Sequence, residues 1–264
     1  MFRQICLIGL FCVVGVISRS LEVEVDVQKN VPSWVEDSQN FMIGGQAAFA
    51  GQFPHVASVR NTANVHVCGG FIINNRWVVS SALCTVNRTP DDTWIIVGAL
   101  QLSNGGTNVF TSNIINHPDY INIGMMNDIS LLQTRDSITF SNLVQPLELG
   151  STFIGSGSQA TFAAWGATAS TGPLISILQW QPMMTIGNQE CEWQMPSMPI
   201  FNNNICAITH VGRGMCRGNL GSAVFIGNNA IGTHSWSPGG CASGFPEVFS
   251  RISSHREWIL SHAG

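Results

Sequence analysis

Eight short apolar runs, each cut off by turn chemistry, constrain this chain more than any other feature. They are "HVASVR", "CGGFII", "RWVVSSAL", "TWIIVGALQL", "DISLLQT", "ATFAAWG", "NICAITH" and "SAVFIGNNAIGTHSW". Asn74-Asn75, Asn104-Gly105-Gly106 and Gly227-Asn228-Asn229 supply the punctuation. Many short strands separated this way favour an all-β sandwich or barrel. The exception is the C-terminal "SSHREWILSHA", where Ile252, Trp258 and Ile259 fall at helical spacing and Ser253 or Ser254 offers a cap. About 220 residues follow position 41, enough for one all-β domain or two small barrels.

The N-terminus reads differently. Residues 1–20, "MFRQICLIGLFCVVGVISRS", give Arg3, an apolar run from Ile5 to Ile17, then Ser18 and Ser20. That is the pattern of a secretory signal peptide, and the run is short of the roughly 20 residues a spanning helix needs. Residues 21–41 alternate apolar and acidic side chains, break at Pro32, and read as an acidic leader. The expectation is a secreted, extracellular protein.

Past the signal, six cysteines remain: Cys68, Cys84, Cys191, Cys206, Cys216 and Cys241. An even number in an oxidising compartment predicts three disulfides, and the sequence alone leaves 15 pairings open. No CxxC or HxxxH spacing occurs, so neither a metal nor another cofactor is expected. Asn87-Arg88-Thr89 is an acceptor sequon for glycosylation, with Pro90 behind it. Charged residues make up 10% of the chain, the sole lysine is Lys29, and the net charge is −4. This argues against nucleic-acid or anionic-membrane binding.

Several segments then become specific. "HVCGGFIINNRWVVSSALC" resembles the start of the first barrel of chymotrypsin-like serine proteases. "MNDISLLQ" is similar to their acidic motif, "AAWGATAS" to their Trp-Gly turn and "GMCRGNLGSAV" to their nucleophile loop. "GTHSWSPGGC" and "GFPEVFSRISSHREWI" resemble their substrate wall and C-terminal helix. The resemblance covers Met42 to the C-terminus. It implies two six-stranded antiparallel β-barrels with a cleft between them and a C-terminal helix. It also implies the bridges Cys68–Cys84, Cys191–Cys206 and Cys216–Cys241.

The resemblance assigns the site residues one at a time. The reaction of this family uses a nucleophile, a base, an orienting acid and an oxyanion hole. Asp128 matches the acid. The base position is Leu83, and leucine has neither a lone pair nor a titratable proton. The nucleophile position is Leu220. Gly218 and Leu220 would supply the oxyanion-hole N–H groups. His66 and His117 fall where the family often carries structural histidines, and Ser222, two residues past Leu220, is read as an ordinary strand serine. The activation pair is altered too, with Met42 at the new N-terminus and a neutral Asn219 as its acceptor. Ser235, Trp236 and Ser237 match the segment that pairs with an extended peptide. Gly214 falls at the base of the specificity pocket, which on that reading is neutral and does not select Arg or Lys.

These changes predict a secreted serine protease homologue that binds a protein partner and regulates rather than cleaves. The partner would be a protease, an inhibitor or an extracellular ligand. The alternatives are an active serine endopeptidase, as the family would imply, and a purely structural secreted protein.

Overall fold

The computed structural model describes residues 45–264 except 168–171, 210–213, 217 and 240. The signal peptide, the leader, Met42 and Arg217 lie outside the described residues.

The first half comprises β1 (Gln46–Ala47), β2 (Val56–Arg60), β3 (His66–Ile72), β4 (Trp77–Ser80), helix α1 (Ala82–Thr85), β5 (Trp94–Val97), β6 (Thr107–Asn116) and β7 (Ser130–Thr134). Strands β2-β3-β4-β7-β6-β5 close into a barrel. The second half runs β8 (Glu148–Leu149), β9 (Gln159–Ala164), β10 (Gln179–Ile186), helix α2 (Asn188–Gln194), β11 (Asn204–Ile208), β12 (Ala223–Ile226), β13 (Asn229–Trp236), β14 (Glu247–Arg251) and helix α3 (Ile252–Ala263). Here the path β10-β11-β14-β13-β12-β9 closes because β9 also pairs with β10. The fold is two six-stranded antiparallel barrels and a C-terminal helix, as expected. Closure gives each barrel strand a partner on both sides and leaves only strand ends unpaired among the described residues. Strand β1 crosses over to pair with β10 of the second barrel.

Each barrel has its own interior. Val59, Ile72, Val78, Ile95 and Leu132 fill the first, and Phe162, Ile205, Val224 and Phe249 the second. A third cluster joins them: Phe71, Val79 and Leu131 of barrel one meet Trp165 and Phe225 of barrel two, with Ile252 and Ile259 of α3. Trp165 is fully buried there, and its indole N–H donates to the Leu100 carbonyl at 3.3 Å. The barrel–barrel contact is therefore a continuous core.

Two sequence expectations shift in detail. The run "RWVVSSAL" leaves the strand at Ser80 and turns into α1. The cap of α3 is Arg251, so Ser253 and Ser254 stand inside its first turn. Strand β14 runs straight into that helix with no loop between them, which moves the cap upstream. The disulfides are Cys68–Cys84, Cys191–Cys206 and Cys216–Cys241, as the resemblance implied.

Candidate functional site

The barrel seam gathers Asp128, Leu83, Leu220 and Ser235 by backbone geometry. Asp128 sits two residues before β7 and is fully buried. Its Oδ1 accepts from the Ser81 hydroxyl at 2.7 Å and from the backbone N–H of Leu83 at 2.7 Å. Its Oδ2 accepts from the Ser235 hydroxyl at 2.6 Å, across the barrel interface. Burial still pushes this carboxyl above the ordinary range, although all three donors, and His234 nearby, pull the other way. At this site the desolvation outweighs the donors. Helix α1 is what aims the Leu83 N–H at Asp128, and the Cys68–Cys84 bridge ties that helix to β3.

Asp128 thus has donors but no side chain from position 83. Asp128→Ala leaves the Leu83 N–H and two hydroxyls facing a void, and should cost about 3 kcal/mol. Asp128→Asn keeps one acceptor oxygen for Ser81 and the Leu83 N–H, replaces the other with an NH2 toward which the Ser235 hydroxyl can turn as acceptor, and removes the charge. It should stay within about 1 kcal/mol of the parent. Urea titration at pH 8 checks both. An Asn variant as weak as the Ala variant would mean that the charge itself is needed.

The loop carrying Leu220 is stitched on both sides. The Leu220 carbonyl accepts from Gly69 N–H at 2.7 Å, and Gly221 N–H donates to the His234 carbonyl at 2.8 Å. Gly221 has φ +82°, and a Cβ there would come 2.4 Å from the Ser80 hydroxyl, so only glycine fits. The half-buried Leu220 side chain packs against the barrel-one cluster that includes Cys68 and Cys84. Ser222 immediately precedes β12 rather than lying in it. It is buried, and its hydroxyl has no partner among the described residues.

A hydrogen-bonded chain holds Gly218. Arg60 Nε donates to Ser58 Oγ at 3.0 Å, Ser58 and His66 Nδ1 lie 2.8 Å apart, and His66 Nε2 meets the Gly218 carbonyl at 2.9 Å. A carbonyl only accepts, so Nε2 carries the proton and Nδ1 takes the serine's. His66 is therefore committed to positioning this loop. Burial, with Arg60 adding to it, presses its pKa down to about 4 against the lift from that carbonyl. Asn219 is buried with both carboxamide atoms unpartnered. Its side chain is wedged against Gly166, where an added Cβ would come 2.5 Å from Oδ1.

The wall opposite is the end of β13. Strand β12 stops at Ala223, opposite Thr233. Ser235 to Ser237 therefore run on without a strand partner on that side among the described residues. The Trp236 side chain is buried among Ile186, Met195, Ile208 and Val248, so it packs rather than projecting into the cleft.

Residue 214 is glycine, but a carboxylate stands beside it. Glu247 Oε1 accepts from Met215 N–H at 2.8 Å, and a Cβ built on Gly214 would lie 3.0 Å from that same oxygen. Oε2 takes the Ser237 hydroxyl and lies 3.4 Å from His234 Nε2.

A pair of closed barrels with a buried acid at their seam is the architecture of chymotrypsin-like proteins. Comparison with known proteins agrees. The Trypsin family profile matches residues 42–259. The chain is 31% identical over 223 residues to Serine protease SP24D of Anopheles gambiae, covering 83% of this chain and 79% of that protein. It is 30% identical over 219 residues to Chymotrypsin-2 of Vespa crabro, covering 83% and 98%. The structure of neuropsin, a serine protease expressed in mouse brain, superposes with a TM-score of 0.76 at 22% identity, covering 83% and 99%. The chain belongs to the trypsin family.

Proposed function

We propose that this protein is a secreted, catalytically inactive trypsin-family member that holds an extended segment of a protein partner in its cleft. The observation that carries this reading is the pair of leucines, Leu83 and Leu220, at the positions of base and nucleophile beside a retained acid. A leucine at 83 cannot accept a proton and a leucine at 220 cannot attack a carbonyl. Neither neighbouring candidate replaces them: His66 is bound to the Gly218 carbonyl, and the Ser222 hydroxyl is buried without a partner. Asn219 adds to this reading, because a neutral amide cannot neutralise a buried ammonium at the place where Met42 would insert.

The unpaired end of β13 supports the binding half of the proposal. An extended segment adds to such an edge through main-chain hydrogen bonds. Secretion is supported by the three disulfides, and exposed Asn87 is the glycosylation position we assign.

A fluorophosphonate probe tests the reading. The native protein should show no covalent labelling at any serine by mass spectrometry. Labelling that disappears on heat denaturation would establish instead the active endopeptidase that the relatives' names suggest. Capture of a partner from the source fluid by the folded chain separates binding from a purely structural role.

A further inference from the structure

We propose that Asn104 is a spontaneous modification site, which loses its side-chain amide nitrogen to attack by the next backbone nitrogen and becomes aspartate or isoaspartate in the folded chain. Asn104 is none of the cleft residues, so its chemistry is the same in an inert chain and in an active one.

Three features of the loop carry it. First, Asn104-Gly105 is the one Asn-Gly pair in the chain, so every other asparagine is followed by a residue whose side chain crowds the attacking nitrogen. Glycine brings no Cβ and turns freely. Second, residues 103–108 are all exposed, and a Cβ built on Gly105 would meet nothing within 4 Å. The space a cyclic imide needs is open. Third, neither reacting group is engaged among the described residues: the Asn104 carboxamide has no hydrogen-bond partner, and the Gly105 N–H donates to no acceptor. The asparagines nearby differ. Asn61 Oδ1 accepts from Val65 N–H at 3.0 Å, and Asn64 Oδ1 accepts from Arg60 at 3.0 Å. Asn108 and Asn113 lie within β6, whose backbone is paired, and precede Val109 and Ile114.

The chemistry needs water alone. The Gly105 nitrogen bonds to Asn104 Cγ and gives up its proton as the Cγ–Nδ2 bond breaks and ammonia leaves, closing a cyclic imide. Water then breaks one of the two ring C–N bonds. Cleavage at Cγ gives aspartate, and cleavage at the main-chain carbonyl carbon gives isoaspartate, whose chain path is one carbon longer. The fold has room for that carbon. Upstream, Gln101 pairs with Asn104 and Ile177, Leu102 N–H donates to the Ser176 carbonyl at 2.7 Å, and the Ser103 and Ser176 hydroxyls lie 3.0 Å apart. Downstream, a Cβ on Gly106 would come 2.6 Å from the Ile96 side chain. The link from Asn104 to Gly106 is the slack piece between two fixed points.

The test is incubation of the purified full chain in mildly alkaline buffer, folded and in urea, followed by peptide mapping with mass spectrometry and an isoaspartyl methyltransferase assay. Asn104 should convert ahead of every other asparagine. Its rate in the folded chain should lie within about tenfold of its rate in urea, because an exposed loop opens at almost no cost. The aged chain should keep the thermal midpoint of the fresh one. Asn104→Gln, whose longer side chain would have to close a larger ring, should abolish the isoaspartate signal. A folded rate slower than that margin, faster conversion at another asparagine, a midpoint that falls in step with conversion, or an isoaspartate signal retained in Asn104→Gln would each overturn the proposal.

Discussion

Leu83→His combined with Leu220→Ser should convert an inert chain into one that reacts with a fluorophosphonate and hydrolyses an activated ester. Each single variant should stay inert. Nucleophile and base act as a unit: losing either alone costs about as much as losing both, on the order of 10⁶ in turnover. Restoring one without the other therefore recovers almost nothing. The double variant has what the remainder of the mechanism needs. Asp128 is already fixed by Ser81, Ser235 and the N–H of residue 83. An imidazole grown from that same residue starts beside its orienting carboxylate. The loop around residue 220 is held by Gly69, His234 and His66. Labelling should rise by about 10³-fold or more over the parent. It should fall short of a full enzyme, because Asn219 still lacks a charge to anchor the loop. An inert double variant with an unchanged thermal midpoint would show that Asp128 and residue 83 do not share the geometry assigned to them.

The second large effect is acid lability. His55 and His66 are buried, and burial is the leading cause that brings each pKa down to about 4. The His55 Nε2 has no partner and its ring stands edge-on to Phe225 at 4.6 Å, in the seam between barrels. A histidine whose folded pKa lies below its unfolded value near 6.5 supports the fold fully above pH 6.5. That support is lost as the pH falls toward 4. The gap corresponds to about 3 kcal/mol for each, or about 6 kcal/mol for the pair. Domains typically hold only about 5–15 kcal/mol in total. Asp128 works in the opposite sense, since a carboxyl raised by burial favours the folded state at low pH, but it is one group against three, because burial also brings His255 down to about 4. Near-ultraviolet circular dichroism should therefore show loss of fixed packing between pH 6.5 and 4. Unchanged urea stability between pH 7 and 4.5 would contradict it, and His55→Phe should shift the transition to lower pH.

Much of this was legible in the residues. The apolar runs marked their strands because each half-buried barrel strand must expose one face to a core. "TWIIVGALQL" overran its strand, which stops at Val97 where Gly98 takes φ +69° and turns the chain. Strand β10 is harder to read, since Gln179, Gln181 and Pro182 lie within it and both glutamines are buried. Cysteine number was readable, but pairing depended on the resemblance, because distances between segments are a tertiary property. The same limit hid Glu247. Its meaning depends on β14 lying beside residues 214–216, and nothing local to "PEVF" says so. Ser81 was equally silent: a small polar residue before a helical turn acquires its role only when Asp128 arrives from 47 positions downstream.

The register irregularity between His234 and Trp236, where β13 pairs with β14, has a consequence for how this gene can vary. Phe249 faces His234 and Val248 faces Trp236, so Ser235 is the supernumerary residue of the pair. That single extra link is what turns one hydroxyl toward Asp128 and brings Ser237 level with Glu247. Deleting any one codon between Thr233 and Ser237 would withdraw both hydroxyls from both acids in one event. At Gly105 an added Cβ would meet nothing within 4 Å, so no neighbouring group fixes that position. Length here is counted to the residue in one place and left free in another.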